Sequence, residues 1–206
     1  MHYHVSSNVE KRGILCGMLL GDGGRCRNNF YIRHGEQQRE YALFKASLLE
    51  EVTGRKVNVR SGVTNGFPNV TVEPRMTPLI RVLVKDLYAS GRKVADRAFL
   101  DKLTLQGIAI WFMDDGSKSF KRKNGRIHAM EVTLNTYLPK ENNEVIINYF
   151  QEVWGIKWGL NKSKGTWRLR MGTQEGRRFF DLISPVVLDS MRYKISDVPR
   201  DATAPT

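Results

Sequence analysis

Cysteine is scarce: Cys16 and Cys26 are the only two in 206 residues. Both lie among apolar or strand-forming neighbours, so buried free thiols in a reducing compartment are expected rather than a disulfide. No Cys/His spacing of the zinc-binding kind occurs. Long apolar runs are also missing. The longest, Ile14 to Leu20, is too short to cross a bilayer, and Met1 to Arg12 lacks the apolar centre of a signal peptide. The expectation is a soluble intracellular protein of the cytoplasm, nucleoid or an organelle matrix, neither secreted nor partnered with a membrane. Acids are few beside bases, 21 Asp+Glu against 33 Lys+Arg, leaving a net charge of +12. That excess favours a polyanionic partner, nucleic acid first and an acidic membrane surface second. A merely basic soluble protein remains open on charge alone. The apolar share of 41% is ordinary, and the length suits one large domain or two small fused ones.

Two stretches organise the chain. Leu15 to Gly23 reads LCGMLLGDG and Ile108 to Gly116 reads IAIWFMDDG, each an apolar run closed by Asp-Gly. One Asp-Gly after an apolar run marks a helix-ending turn. Two of them, 93 residues apart within halves that repeat one another, ask for more.

Ser7 and Glu10 have capping-box spacing, so a helix is expected from there to about Gly21. Gly13, Gly17 and Gly21 fall four apart on one side of it, which suits close approach of another backbone. Strand alternation follows, with Cys26, Phe30 and Ile32 on one face. A helix from about Gln38 to Val52 ends at Gly54; two short strands around Val57–Arg60 and Val70–Glu73 precede a helix from Pro78 to about Ala89. The second half replays this order: a helix from Thr104 to Asp114, a basic loop, a strand around Met130–Leu134, and a helix from Pro139 to Trp154. Two strands around Ile156–Leu160 and Trp167–Met171 and a helix from Gln174 to about Leu188 complete it. The expected fold class is α+β: two pseudo-symmetric αββαββα repeats, residues 1–93 and 104–195, joined by a linker over 94–103. A loose tail is expected over 196–206. A half with one strongly apolar helix cannot bury it alone, so the two motif helices should pack together at the centre.

That packing brings Asp22 to Asp115 at two helix C-termini, where the partial negative charge of the helix disfavours a carboxylate by roughly 0.3–1 kcal/mol. Last-turn oxygens from Gly21 and Asp114 add to the cluster. Such hard oxygens suit Mg²⁺ or another hard divalent ion, two or more of which could be shared there. With a phosphate oxygen as a further ligand this becomes a centre for phosphodiester hydrolysis. Either Asp alone reads best as a turn residue; the pair at matched positions reads as a metal site.

The two stretches resemble the signature of the LAGLIDADG homing endonucleases, in the form that carries both repeats in one chain. Asp22 and Asp115 fall on its eighth, metal-binding letter, while Asp114 stands beside as a second candidate carboxylate. Val132-Thr133-Leu134-Asn135-Thr136 and Met191-Arg192-Tyr193-Lys194 are similar to segments of intron-encoded members, and the likeness spans about Val9 to Ile195. It implies a saddle of two antiparallel four-stranded sheets astride double-stranded DNA. It also implies Mg²⁺-dependent cutting of both strands across the minor groove, with 3′ overhangs, by a monomer. Lys93 and Lys194 match the family's active-site lysines, 71 and 79 residues after the two acids. On composition alone each would be an ordinary solvated lysine. Ile110 and Asp114 stand where the first copy has Gly17 and Gly21, so the second backbone is expected to approach less closely.

Alternating strands with one solvated face can present rows of polar side chains to a major groove. Arg25, Arg27, Asn29, Arg33, Lys56, Asn58, Arg60 and Thr71 are candidates for one half-site. Glu131, Thr133, Asn135, Lys157, Asn161, Arg168 and Arg170 are candidates for the other, with Lys118, Lys121, Arg122, Lys123 and Arg126 as a phosphate-gripping loop. Each could equally be part of a plain solvated face. The favoured reading is a site-specific endonuclease with an asymmetric duplex target. The alternative is a non-cleaving DNA-binding protein or an intron RNA maturase on the same fold, and a merely structural basic protein would leave the duplicated acids unexplained. No protein-splicing domain is visible, which argues against an intein.

Overall fold

The computed structural model describes residues 3, 5–163 and 165–196; the expected loose tail lies outside them from 197 onward. Helix α1 (Asn8–Leu20) begins where the sequence indicates. The Ser7 hydroxyl accepts the Glu10 N–H at 3.2 Å, and the Glu10 carboxylate accepts the Ser7 N–H at 2.9 Å. Its residues from Gly13 to Leu20 are all buried. The chain continues as β1 (Gly23–Cys26), β2 (Asn29–Gly35), α2 (Arg39–Thr53), β3 (Asn58–Thr64), β4 (Phe67–Glu73) and α3 (Pro78–Leu87). A one-turn helix α4 (Arg97–Leu100) occupies the segment between the halves. Asp96 caps it through the Phe99 N–H at 2.7 Å, and Phe99 and Leu100 are buried. The second half runs α5 (Leu105–Asp115), β5 (Gly116–Lys123), β6 (Arg126–Leu134), α6 (Lys140–Trp154), β7 (Gly159–Ser163), β8 (Thr166–Met171) and α7 (Thr173–Ile183).

Among the described residues the strands form two four-stranded antiparallel sheets, β1-β2-β4-β3 and β5-β6-β8-β7. The identical order in both halves is the duplication expressed in three dimensions. The α+β class and the αββαββα repeat stand as read from the sequence. No helix among the described residues is long and apolar enough to cross a membrane.

The motif helices α1 and α5 make the centre. A Cβ built on Gly17 would lie 2.1 Å from the Gly107 carbonyl oxygen, and one on Gly107 would lie 2.2 Å from that of Gly13. The two backbones are in direct contact. Mid-helix glycine costs about 1 kcal/mol relative to alanine, so the two inside α1, Gly13 and Gly17, are tolerable only because packing compensates. The expectation of looser packing on the second helix is corrected: Gly107 supplies the approach that Ile110 cannot. Around the pair the first half buries aliphatics, including Leu15, Leu19, Ile32, Val72 and Leu83. The second half buries a cluster of rings, Trp111, Phe112, Phe150, Trp158 and Phe179.

Four local expectations change. Residues 118–123 are not a loop but strand β5, with the turn at Asn124 and Gly125, both at positive φ. A tight turn at Arg27 and Asn28 splits what reads as one strand, and it leaves Cys26 exposed while Cys16 is buried. Helix α7 stops at Ile183 because Pro185 cannot continue it. Strand β7 starts at Gly159, after the buried Ile156 and Trp158.

The contact between backbones sets a test. Gly17→Ala should destabilise the chain by about 3 kcal/mol, the upper range for forcing atoms into a packed interior. Gly35→Ala, where nothing lies within 4 Å, should be close to neutral. Urea unfolding of both variants reads the difference; equal midpoints would show that the helices can part at no cost.

Candidate active site

Both motif acids lie at the C-terminal ends of the packed helices. Asp22 follows α1 by one turn residue and Asp115 is the last residue of α5. Each helix end carries a lysine on its free carbonyls. Lys93 Nζ donates to the Leu20 and Gly21 carbonyl oxygens at 3.0 and 3.2 Å, and Lys194 Nζ donates to those of Met113 and Asp114, the latter at 3.1 Å. Lys93 is presented just past the Gly91 turn (φ 83°) and Lys194 by a final 3-10 turn over Asp189–Lys194. All four residues named from the sequence thus converge on one seam. A cleft of about 400 Å³ opens beside them, lined by Gly21, Arg92, Lys93, Asp115 and Tyr137.

The charges at this seam are strained against one another. Burial, followed by the negative charge of Asp114, pushes the Asp22 carboxyl up to about 6. Burial, then Asp114 and Asp22, pushes Asp115 up to about 7. Burial lowers both lysines, against the opposing pull of the nearby acids. Two carboxylates that ionise reluctantly, next to helix-end carbonyls already holding ammonium groups, form a donor set suited to a hard divalent cation.

Asp114 lies elsewhere than beside Asp115. Its side chain, fully buried, turns back across the helix pair into the space at Gly21, where a Cβ would lie 2.2 Å from Asp114 Oδ2. It accepts the Asp22 backbone N–H at 3.0 Å, the Tyr41 hydroxyl at 2.8 Å and the Lys45 ammonium at 2.5 Å. His34 lies within reach of the same group, its Nε2 3.1 Å from Lys45 Nζ and its Nδ1 3.6 Å from Asp22 Oδ2. Asp22, His34 and Asp114 could bring ligand atoms within 4.8 Å of one another. The three donors already on Asp114 leave its carboxylate little capacity for a cation, so its backbone carbonyl is the better oxygen. Sequence reasoning missed Tyr41, Lys45 and His34. A signal existed: Tyr41, Lys45, Leu48 and Val52 share the buried face of α2, and a lysine there needs a buried partner.

The candidate interface residues divide by strand register. Arg33 pairs with Thr71, Thr71 with Arg60, and Asn58 with Glu73, so these share the face of the first sheet away from its core. Asn29 lies on the same face and donates to the Pro74 carbonyl at 2.8 Å. On the second sheet Glu131, Thr133, Lys121, Asn161, Arg168 and Arg170 share the outer face. Glu131 lies 3.5 Å from Lys121 and 3.2 Å from Arg170, and Thr133 bonds Ser117 at 2.7 Å. Arg25 and Lys118 take the opposite face. Arg25 pairs with Phe30 and lies over the Tyr88 ring at 5.2 Å; Lys118 pairs with Val132 and donates to Ser196 Oγ at 2.8 Å. The hairpin turn flips the parity in the first case, and strand in place of loop does so in the second. Arg27 lies in that turn. Arg122, Lys123 and Arg126 lie at the β5–β6 tip, beyond a register irregularity after Lys121. Lys56 and Lys157 lie just before β3 and β7. Asn135 follows β6 and is tied to the site, its Nδ2 donating to the Asp115 carbonyl at 3.1 Å.

Three further residues belong to this surface. Arg55 and Arg75 join Asn29, Lys56 and Asn58 in a cleft of about 700 Å³. They lie just outside strands, where alternation gives no reading. Tyr137 is 75% exposed at positive φ (56°) at the mouth of the cleft beside Asp115. The fully buried Asn143 holds that loop through the Leu138 and Pro139 carbonyls at 2.8 and 2.9 Å and the Thr136 hydroxyl at 2.6 Å. A left-handed aromatic is costly and persists only under such constraint.

The raised carboxyl values fix a pH dependence. Because the folded values exceed those of the unfolded chain, the stability contributed by these two groups is full below about pH 4. It is lost as pH rises through about 6 and about 7. Thermal melts without divalent cation should therefore show Asp115→Asn gaining on the parent chain as pH goes from 5 to 8. Parallel curves would place the Asp115 carboxyl in water. Divalent-ion affinity should rise over the same interval, since protons compete for the same oxygens.

Comparison with known proteins agrees with this geometry. Residues 12–179 match the model of the LAGLIDADG DNA endonuclease family. A protein named RecA from Mycolicibacterium flavescens is 28% identical over 202 residues, spanning 88% of this chain and 45% of that protein. A probable intron-encoded endonuclease of Wickerhamomyces canadensis is 24% identical over 96 residues, 47% of this chain and 41% of that protein. The chain spans less than half the length of these two relatives. Among solved structures, the homing endonuclease I-WcaI bound to its DNA recognition sequence superposes with a TM-score of 0.74 over 96% of this chain and 90% of that one, at 17% identity. With two signature helices packed through glycine, an acid at each C-terminus and a family match over most of its length, the chain belongs to the LAGLIDADG DNA endonuclease family.

Proposed function

We propose that this protein is a site-specific endonuclease of double-stranded DNA. In this reading it hydrolyses one phosphodiester per strand across the minor groove of a long asymmetric site, leaving 3′ overhangs, with Mg²⁺ as cofactor, and acts as a monomer. The observation that carries the reading is the convergence of Asp22 and Asp115 at one seam, with a lysine on each helix end. The Asp22 and Asp115 carboxylates, with the Gly21 and Asp114 carbonyl oxygens, would hold the divalent ions. Bound there, such ions supply Lewis acidity toward phosphate and lower the pKa of water. The protein's own groups do the rest. Lys93 and Lys194 place positive charge where a pentavalent phosphate would gather negative charge, inside a partly desolvated seam where that attraction acts strongly. Asn135 fixes the carbonyl end of α5 and leaves its amide oxygen able to orient water.

In this reading the outer faces of the two sheets enter successive major grooves. Arg33, Asn58, Arg60 and Thr71 serve one half-site and Glu131, Lys121, Arg168 and Arg170 the other. Arg55, Lys56, Arg75, Lys123 and Arg126 hold phosphates at the margins, and Tyr137 lies against the strand entering the cleft beside Asp115. Arg25 and Lys118, on the core-side faces, are left out of base reading. The unequal polar faces of the halves favour an asymmetric target. DNA bound by I-WcaI supports the choice of duplex over RNA as substrate.

Incubation with a randomised duplex library and Mg²⁺, followed by sequencing of the ends, should return one long site with recessed 5′ termini. Asp22→Asn or Asp115→Asn should cut that site at least ~10³-fold more slowly while still binding it. Variants that cut at the parent rate would displace the chemistry from these acids; a parent that binds one site and never cuts it would favour the non-cleaving alternative. Affinity should fall steeply with salt, as expected when several phosphates are neutralised.

A further inference from the structure

We propose that the buried Lys45–Asp114 pair, acting with His34 and Tyr41, positions Asp22 alone, so that hydrolysis of one DNA strand depends on it more than hydrolysis of the other. The strand bias rests on the nuclease reading above; the positioning of Asp22 rests on geometry.

Asp114 fixes the Asp22 backbone through Oδ2, which accepts its N–H at 3.0 Å, while Oδ1 accepts from Tyr41 and Lys45. The Lys45 ammonium, enclosed completely, lies 3.9 Å from Asp22 Oδ2 and 3.1 Å from His34 Nε2. An ammonium only donates, so Nε2 is the acceptor and the ring proton sits on Nδ1. That proton faces Gln38 Oε1 at 3.2 Å and Asp22 Oδ2 at 3.6 Å. One line of donors therefore runs from Lys45 through His34 toward the Asp22 carboxylate, and a second contact runs from Asp114 to its backbone.

The other half is built differently. Tyr41 and Lys45 stand 13 and 9 residues before the helix-ending Gly54; the residues at those distances before Gly155 are Asn142 and Ile146. Asn142 is turned to the linker, accepting from the Ala95 N–H at 3.0 Å and donating to its carbonyl at 2.7 Å. Ile146 is buried and apolar. The counterpart of Asp114 itself is Gly21. Where His34 reaches toward the Asp22 carboxylate from the end of β2, Asn135 just past β6 bonds the Asp115 backbone instead of its carboxylate. Asp22 is thus held from two sides by charged groups, whereas Asp115 is held through the helix end. Stability does not call for the pair, since apolar residues of similar volume serve a core as well or better than buried ions.

The test replaces both charges together, Lys45→Met with Asp114→Asn, so that neither partner is left as an unpaired buried ion and the new amide oxygen still accepts the Asp22 N–H. In the full chain without metal, ¹⁵N spectra of the His34 ring should show the Nδ1–H tautomer in the parent, and a shifted Nε2 resonance in the double variant, where that nitrogen has lost its Lys45 donor. On a supercoiled plasmid carrying the selected site, the double variant should accumulate nicked product. Strand-resolved gels should show one strand cut about 10- to 10²-fold more slowly than the other relative to the parent, with DNA binding in Ca²⁺ unchanged. His34→Gln, which leaves the ion pair intact, should bias the same strand. Equal slowing of both strands, no slowing, or a parent ring protonated on Nε2 would overturn the proposal. A parent chain that cuts no duplex would sink the nuclease reading and the strand bias with it, while the ring-proton measurement still decides how Asp22 is positioned.

Discussion

Everything at the centre depends on two helix backbones touching. A Cβ at Gly17 or Gly107 would lie about 2 Å from a carbonyl oxygen of the facing helix, well inside van der Waals contact. Side chains between the helices would set them about 8–10 Å apart in the usual way. Glycine removes that spacer, and the two C-termini arrive close enough for Asp22 to raise the proton affinity of Asp115. Helix-forming tendency is given up along α1 for this proximity. What restores stability is the burial of Ile14 to Leu20 against the first sheet and of Ile108 to Met113 against the aromatic cluster of the second.

Proximity of like charges is then managed with cations. The two acids sit where burial and helix dipoles oppose ionisation, and three cations answer them: Lys93 and Lys194 on the helix-end carbonyls and Lys45 beneath Asp22, with the neutral His34 ring beside Lys45. The management is one-sided. Asp114 departs from the glycine of the first motif at the matched position, and its carboxylate pulls Tyr41 and Lys45 of α2 into the seam. A single change of residue type in one copy of a duplicated element thus reorganises the polar interior of the opposite half. The signature's register leaves Asp114 and Asp115 as neighbours competing for one task; the fold sends them in different directions.

The same division of labour governs the sheets. Each has a core face of Val, Ile, Leu, Phe and Met and an outer face on which bases, amides and hydroxyls alternate with a few acids. Glu131 shows why acids belong there. With Lys121, Arg168 and Arg170 at 3.5, 3.9 and 3.2 Å, it ties three flexible cations to one carboxylate, which shapes the surface as well as charging it. Side chains that escape this order, Arg25 and Lys118, escape because a turn or a hairpin shifted the strand's parity, and a one-residue slip moves every side chain to the other face.

Local signals along the chain are enough for the repeat, the element order, the helix starts at Ser7 and Thr104, the glycine face and the matched positions of Asp22 and Asp115. These follow from signals carried by residues a few positions apart: capping spacings, apolar periodicity and Asp-Gly punctuation after an apolar run. The same holds for most of the outer sheet faces, since alternation inside a strand is a local property. Packing in three dimensions sets which way Asp114 turns, brings Lys45 and His34 to the centre, and holds Tyr137 strained at its mouth. It also sets where hairpin turns reset the parity. Each of those depends on contacts that alternation along the chain does not encode, such as a gap left by Gly21 or a carbonyl held by Asn143, and no pattern read residue by residue contains such a distance.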